Sequence, residues 1–354
     1  MHQILPSYAS YDAIGQETKI LRSIFKSLGF HGEIYAQSGF GTDDVRSLDD
    51  YHEVNKKSLV VYHHSIGSNA FYQALKFKQK MICRFHNITP PWFFEKTTQT
   101  EQSCVLGYGQ LNILEFFSLK FWPASFYSAL QLHKSDYQVI PVLRDYHCLL
   151  SQKDEHVLAQ SLTLRPTFLF VGRIVQNKGI HDLIFLKKIL SQIQSLKNVR
   201  FLMIGSGQKQ SYMQEKISPL IENLNLKYGD DLNDLSNDLV FLSGVSQKKL
   251  ATCYRHTKAL IYLSDHEGFG VPLVEAMHFK LPIIAHKSSA IPEVCQDGVM
   301  LVDKHNPVEV VQACLQSLQM KKVEYEKSLL NLSLKHATQL IEKEMNTIDR
   351  TITK

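Results

Sequence analysis

Two short stretches of this chain carry residue types that can hold an anionic leaving group. The first is Glu267-Gly268-Phe269-Gly270-Val271-Pro272-Leu273-Val274-Glu275. It follows the apolar run Lys258-Ala259-Leu260-Ile261-Tyr262-Leu263-Ser264, of the kind buried in a parallel sheet. Pro272 suits the first position of a helix that Ala276 and Met277 continue. Two carboxylates therefore flank a flexible turn and the free N–H groups of a helix start, whose donors and dipole attract phosphate. We read the stretch as the seat of a nucleotide-sugar diphosphate, one Glu holding sugar hydroxyls and the other the ribose diol. An acid in a first helical turn is common, because the dipole favours it. That accounts for Glu275 but not for a second Glu beside Gly268 and Gly270.

The second stretch, Gly172-Arg173-Ile174-Val175-Gln176-Asn177-Lys178-Gly179, places two cations between a strand and a helix. Arg forks onto two phosphate oxygens and Lys supplies a compact charge. A diphosphate gains negative charge as its bond to carbon breaks, so fixed cations stabilise that transition state more than the ground state. Taken alone, the fragment also reads as a solvated basic turn. No Asp-x-Asp pair follows a strand, so the carboxylates of a metal-held diphosphate are missing and a metal-independent site is expected. His64 and His86 stand at strand ends, where single histidines are more often structural than catalytic. His86, however, opens the shaped run His86-Asn87-Ile88-Thr89-Pro90-Pro91. His63 and His64 are adjacent on a strand and point to opposite faces, which argues against joint metal ligation. Gly205-Ser206-Gly207 lacks the third glycine of a dinucleotide fingerprint.

The elements that must position these residues alternate between strand and helix. Gln3–Pro6 reads as a strand, Ser7–Gly15 as a turn, and Ile20, Leu21, Ile24, Phe25 and Leu28 as one face of a helix. Strands follow at Glu33–Ala36, Leu59–Tyr62 and Met81–Phe85, with a loop over Gln37–Asp50 and a helix over Asn69–Gln79. Phe93 to Lys120 reads as helical, and Gln138–Pro141 as the last strand of this half. Val142–Arg165 is polar and reads as a linker. The rhythm then restarts with strands Thr167–Val171, Arg200–Ile204, Leu239–Leu242 and Pro282–Ala285, ending in one long helix over Tyr325–Ile348. Such alternation gives right-handed crossovers, parallel sheets, and ligands at the strand carboxyl ends. The expected class is α/β, with two doubly wound domains facing across a cleft. The divisions are 1–150, 151–325 and a C-terminal helix over 326–354 that packs back toward the first domain.

Bulk properties fit this reading. A length of 354 residues, 44% apolar and 21% charged, suits two domains with proper cores. The formal charge of +5 fits an anionic small ligand or an anionic membrane surface and does not demand nucleic acid. Six scattered cysteines, at 83, 104, 148, 253, 295 and 314, form no C-x-x-C pair, which points to reduced thiols in the cytoplasm. The first residues are too soon broken by Pro6 for a signal peptide, and no run approaches a membrane span. Any membrane association is expected to be peripheral, on the inner face of the cytoplasmic membrane.

Over nearly its whole length, and most strongly from Thr167 to about Asp303, the chain resembles retaining GT-B glycosyltransferases of glycosyltransferase family 4. Glu267 and Glu275 match the family's E-x7-E element, and Gly172, Arg173, Lys178 and Gly179 its Gly-Arg…Lys-Gly element. Asp12-Ala13-Ile14-Gly15, His64-Ser65-Ile66-Gly67-Ser68 and His86 to Pro90 resemble the amino-terminal motifs of a bacterial and archaeal branch. The resemblance implies that Arg173 and Lys178 bind the donor diphosphate, Glu267 the donor sugar and Glu275 the ribose. It further implies amide contacts near Phe269, Gly270, Val271 and Leu273, and a close approach at Gly15 and Gly172. His86 would lie against the sugar ring, and loops at Gly205, Gly207, Val245 and Ser246 would enclose the base. Asp12, His64, Ser65, Asn87 and Thr89 would face the acceptor.

The implied activity is hexosyl transfer from GDP-mannose or a UDP-sugar to a glycan or lipid-linked acceptor of bacterial surface polysaccharide or lipopolysaccharide. No cofactor would be required, and attack would come from the front face. The sequence departs from the family in having only Gly15 in the first loop and Ile140 to Asp145 at the linker. Ser288-Ser289-Ala290 also replaces a common Gly-Gly. A sugar-nucleotide epimerase, a phosphorylase-like enzyme and a silent scaffold are the alternatives. The incomplete glycine fingerprint weakens a nicotinamide dehydrogenase, and a phosphorylase should be much longer. Arg173, Lys178 and Glu267, all present, speak against the scaffold.

Overall fold

The computed structural model describes residues 1–10, 12–41, 44–52, 58–76, 80–133, 136–207 and 211–352, the last four by backbone alone. It divides into two compact units, Met1–Asp145 with Leu330–Lys354, and Tyr146–Leu329. Each is a parallel sheet wound with helices.

In the first unit the strands are β1 (His2–Ser7), β2 (Ile34–Ser38), β3 (Val45–Ser47), β4 (Leu59–His64), β5 (Lys80–Phe85) and β6 (Ser118–Pro123). Their order is β3-β2-β1-β4-β5-β6, all parallel. The direction of winding reverses between β1 and β4, and ligands of such sheets gather outside the strand carboxyl ends at that point. In the second unit the strands are β7 (Thr167–Val171), β8 (Arg200–Ile204), β9 (Tyr228–Gly229), β10 (Leu239–Leu242), β11 (Ala259–Tyr262), β12 (Ile283–His286) and β13 (Met300–Val302). The order β13-β12-β11-β7-β8-β10-β9 is the same winding with one added edge strand. Its reversal falls between β7 and β11.

Helix ends follow local chemistry. Asp12 caps the helix Ala13–Ser27, its Oδ1 accepting from Gly15 N at 2.6 Å. Gly15 thus lies in the first helical turn rather than in the preceding loop. A Cβ there would sit 1.9 Å from the Ala9 carbonyl oxygen, so only glycine lets the first loop close on this helix. The helix Leu334–Ile352 buries Ala337, Ile341, Met345 and Ile348 on one stripe against Leu21, Phe25, Val61 and Trp122. Such apolar side chains each contribute about 1.5–3 kcal/mol when fully buried. As expected, this helix returns to the first unit.

Several element expectations are corrected. The stretch read as a loop over 37–50 holds β3 and a 3-10 turn over Leu48–Asp50, because Val45 and Leu48 bury beneath the sheet edge. Thr42 and Asp43 of that stretch lie outside the described residues, as do the last three positions of the helix expected to reach Gln79. The helical reading of 93–120 ends at Phe117, where Ser118 starts β6. Gln138–Pro141 is not a strand. It runs beside β6 through Gln138 N to Phe121 O and Ile140 N to Pro123 O, and Pro141 has no N–H with which to continue. The expected linker contains the helices His147–Leu150 and His156–Leu164. The single helix expected over 325–348 is two, Glu326–Asn331 and Leu334–Ile352, and the Ser333 hydroxyl accepts from His336 N between them.

Candidate functional site

In the second unit the two motif stretches meet at the winding reversal. The residues after β7 and those after β11 are stitched together: Asp265 N donates to Asn177 O at 2.9 Å, and Asn177 Nδ2 to His266 O at 3.3 Å. Gly179 makes the seam possible. It adopts φ +66°, and a Cβ on it would come within 2.2 Å of the Leu263 carbonyl oxygen. Across this seam Lys178 Nζ meets Glu267 Oε1 at 2.5 Å, with side chains only 13% and 8% exposed. Burial would raise the Glu267 carboxyl, but the Lys178 charge and hydrogen bond, helped by the Tyr262 hydroxyl, hold it below the ordinary range. Arg173, in the same loop after β7, is exposed and pairs with no carboxylate among the described residues.

The backbone of this corner is braced from three sides. Glu267 N donates to Ser289 Oγ at 2.8 Å. Ser289 adopts φ +49°, a conformation that favours glycine, and its hydroxyl contact offsets that strain. Gly270, at φ +93°, precedes the helix Val271–His278 and takes the N-cap place. Phe269 and Leu273 are buried and Val271 half-buried. Glu275 therefore lies in the second turn, not the first, and the helix-start explanation for it falls away. Its Oε2 accepts from the Tyr254 hydroxyl at 2.7 Å.

The glycines after β7 and β8 serve a close approach of backbone to backbone. A Cβ on Gly205 would stand 1.8 Å from the Gly172 carbonyl oxygen, and one on Gly207 2.8 Å from that of Ile174. Gly172 N donates to Ile204 O and Ile174 N to Ser206 O, which locks Arg173 on a fixed shelf. After β10, Val245 is half-buried, and Ser246 caps the helix Gln247–His256 by accepting from Lys249 N at 3.3 Å. Lys304 was not anticipated. It is almost wholly buried and bridges Asp182 Oδ2 at 2.7 Å and Asp265 Oδ1 at 2.5 Å, two residues from Glu267. The motif Asp303-Lys304-His305 carried no signal of this, because its partners are distant in sequence.

In the first unit, β4 runs two residues further than expected, so His63 and His64 are strand residues and fully buried. They point to opposite faces: His64 Nε2 meets the Gly107 carbonyl at 3.0 Å, whereas His63 faces His86. Burial holds their imidazoles down, at about 3 for His63 and about 4 for His64. Ser65 and Thr89 are half-buried. Asn87, at φ +77°, turns the chain after β5 and donates from Nδ2 to Ser128 Oγ at 3.2 Å. Asp12, as cap, is pushed up by burial against the pull of the Gly15 and Ile14 amides. His86 stands over a buried ion pair that the sequence reading missed, Arg84 with Glu17 at 2.7 Å. Glu17, His63 and His86 offer ligand atoms within 4.8 Å of one another. The Arg84 guanidinium against the same carboxylate makes that group ill suited to a cation.

No helix among the described residues is long and apolar enough to cross a membrane. A family model described as glycosyl transferases group 1 matches residues 154–330. The serotype-specific mannosyltransferase WbdA of Escherichia coli is 28% identical over 160 residues, which are 44% of this chain and 18% of that protein. The O-antigen chain mannosyltransferase RfbU of Salmonella typhimurium is 29% identical over 136 residues, 38% of this chain and 34% of that one. The chain thus spans well under half the length of these curated relatives. Among solved structures, Anabaena HepE in complex with UDP and glucose superposes with a TM-score of 0.68 at 15% identity, covering 98% of this chain and 99% of that one. At that identity the likeness speaks for the fold: two parallel-sheet, Rossmann-like domains of the GT-B kind.

Proposed function

The chain belongs to the glycosyl transferases group 1 family, and from that premise we propose that it moves a hexosyl residue from a nucleoside-diphosphate sugar to a hydroxyl of a glycan or lipid-linked acceptor. The observation that carries this reading is the buried Lys178–Glu267 contact at the winding reversal, with Arg173 exposed in the same loop as Lys178. A donor would divide the pair: its diphosphate gives Lys178 a more highly charged partner, and its sugar hydroxyls give Glu267 donors. Arg173 and Lys178 then face the oxygen that gains charge as the C1–O bond breaks.

Family likeness supports retention of configuration by front-face attack. In that reaction the acceptor oxygen bonds to C1 on the face the diphosphate leaves, and its proton passes to a departing phosphate oxygen. No protein base is then required. The mannosyltransferase relatives favour GDP-mannose as donor and a surface polysaccharide as product, and HepE with its UDP keeps UDP-sugars in the panel. Work without a metal, at the cytoplasmic face and in peripheral contact with the membrane, completes the reading.

The test is a thermal-shift and hydrolysis screen against nucleotide sugars, since a ligand that binds only the folded chain raises its melting point. One donor class should stabilise the protein and be turned over. Glu267→Ala and Lys178→Ala should stay folded and lose most of that turnover. Wild-type rates in either variant, or no response to any nucleotide sugar, would overturn the assignment.

A further inference from the structure

Three side chains of the first unit, Gln3, His63 and His86, form a hydrogen-bonded chain that ends facing Glu17, and its direction can be worked out. Gln3 Nε2 donates to the Thr18 carbonyl at 2.9 Å, and that oxygen can only accept. The Gln3 side-chain oxygen therefore faces His63, and His63 Nε2 must carry the hydrogen of their 3.0 Å contact. A neutral His63 then accepts at Nδ1, so His86 donates from Nε2 across 3.0 Å. His86 Nδ1 is left facing Glu17 Oε2 at 3.4 Å. That oxygen is buried and has no hydrogen-bond partner among the described residues. A bare imidazole nitrogen and an ionised carboxylate would set lone pair against lone pair. Glu17 cannot turn away, because its Oε1 already accepts from Arg84 Nη2 at 2.7 Å and from Leu143 N at 3.0 Å.

We propose that His86 and Glu17 hold one proton between them, and that Gln3, His63 and Glu17 are positioning residues that fix the His86 ring and the loop that follows it. The groups facing His86 are Glu17 from the Ala13–Ser27 helix, His63 and His64 from β4, Arg84 from β5 and Gln3 from β1 through His63. Burial, then the charges of Arg84, His63 and His64, hold a lone His86 imidazolium far below its usual range. The Glu17 carboxylate facing Nδ1 is the group that opposes them. Both His86 nitrogens are turned inward, so the ring serves the site by anchoring the chain at Asn87, whose φ of +77° needs a firm hold. Losing that proton as pH rises loosens the anchor. The loop's part in turnover rests on the sugar-transfer reading above; the shared proton does not.

The test uses the full chain labelled with 15N-histidine, followed by long-range 1H–15N spectra as a function of pH. His63 should appear as the Nε2–H tautomer. A proton on Nδ1 should couple to His86, vanish in His86→Gln, and disappear as pH rises. Glu17→Gln supplies a permanent N–H to Nδ1, so its kcat should lack the fall with rising pH expected of wild type, with KM for the donor unchanged. Glu17→Ala should lose kcat by about 100-fold at every pH, the scale of a small misplacement near a reacting centre. An ordinary free His86 imidazole in the wild-type spectra would overturn the proposal, as would a Glu17→Gln pH profile identical to wild type. The wild-type spectra decide the matter even where a variant unfolds. A shared proton without any turnover would overturn the transferase reading and leave the relay standing.

Discussion

Replacing Lys178 by Met keeps the stem of the side chain and removes its charge. The Glu267 carboxylate, 8% exposed, is then left with the Tyr262 hydroxyl and no cation. Breaking one side of such a buried pair costs about 3–5 kcal/mol. For a unit of this size that corresponds to a melting point lower by about 6–20 °C. The pH dependence distinguishes this from loss of packing. In wild type the Glu267 pKa is depressed on folding, so its contribution is present at neutral pH and lost as pH falls through the folded value. In Lys178→Met burial prevails and raises that pKa above the unfolded one, so the penalty is present at neutral pH and relieved by acid. The gap between the two proteins should therefore narrow on going from about pH 7 to about pH 5, toward the carboxyl range. Urea melts followed by circular dichroism at the two pH values measure it. Lys178→Met with Glu267→Gln should recover most of the lost stability and none of the activity. A single variant that loses less than about 1 kcal/mol at neutral pH, or whose loss does not change with pH, would refute the reasoning.

Other outcomes follow from the same geometry. Gly205→Ala must push the Gly172 carbonyl away from a Cβ 1.8 Å distant, which overpacking puts at about 1–3 kcal/mol; donor affinity should fall with stability, as a titration of melting point against ligand would show. Lys304→Met leaves Asp182 and Asp265 facing each other without their bridging cation, so calorimetry should find a lower melting point that partly recovers at acid pH. Under the proposed function, in which Arg173 and Lys178 would take the diphosphate charge that a metal otherwise holds, sugar transfer should persist in excess EDTA; a loss reversed by added Mg2+ or Mn2+ would count against that.

The second unit was the more legible half. Three of its strands, Thr167–Val171, Arg200–Ile204 and Leu239–Leu242, fall where their apolar runs place them. Buried parallel strands bounded by glycine or polar turns advertise themselves in this way. Ser118–Pro123 did not, because its Lys120 and Trp122 continue a helical spacing from the preceding segment and only the pairing with β5 makes it a strand. The pairing of Lys178 with Glu267 was not legible either: both were singled out, but separately, and they stand 89 positions apart. Arg84 was visible as a charge inside an apolar strand, which should have prompted a search for a buried carboxylate. Glu17 sits on the buried face of its helix among Gly15, Thr18 and Leu21. A sequence gives no means of joining the two, since such pairs are specified by the fold and not by local pattern.

The return of the Leu334–Ile352 helix to the first unit has a consequence for biosynthesis. The second unit is one continuous piece of chain, whereas the first is built from both sides of it. Chains emerge at roughly 5–20 residues per second and fold domain by domain. The apolar surface around Leu21, Phe25 and Trp122 must therefore wait uncovered while the whole second unit is made. A ribosome that stalls or stops before Ala337 releases a polypeptide with the second unit complete and an open hydrophobic face on the first. Quality control should recognise that product as unfinished.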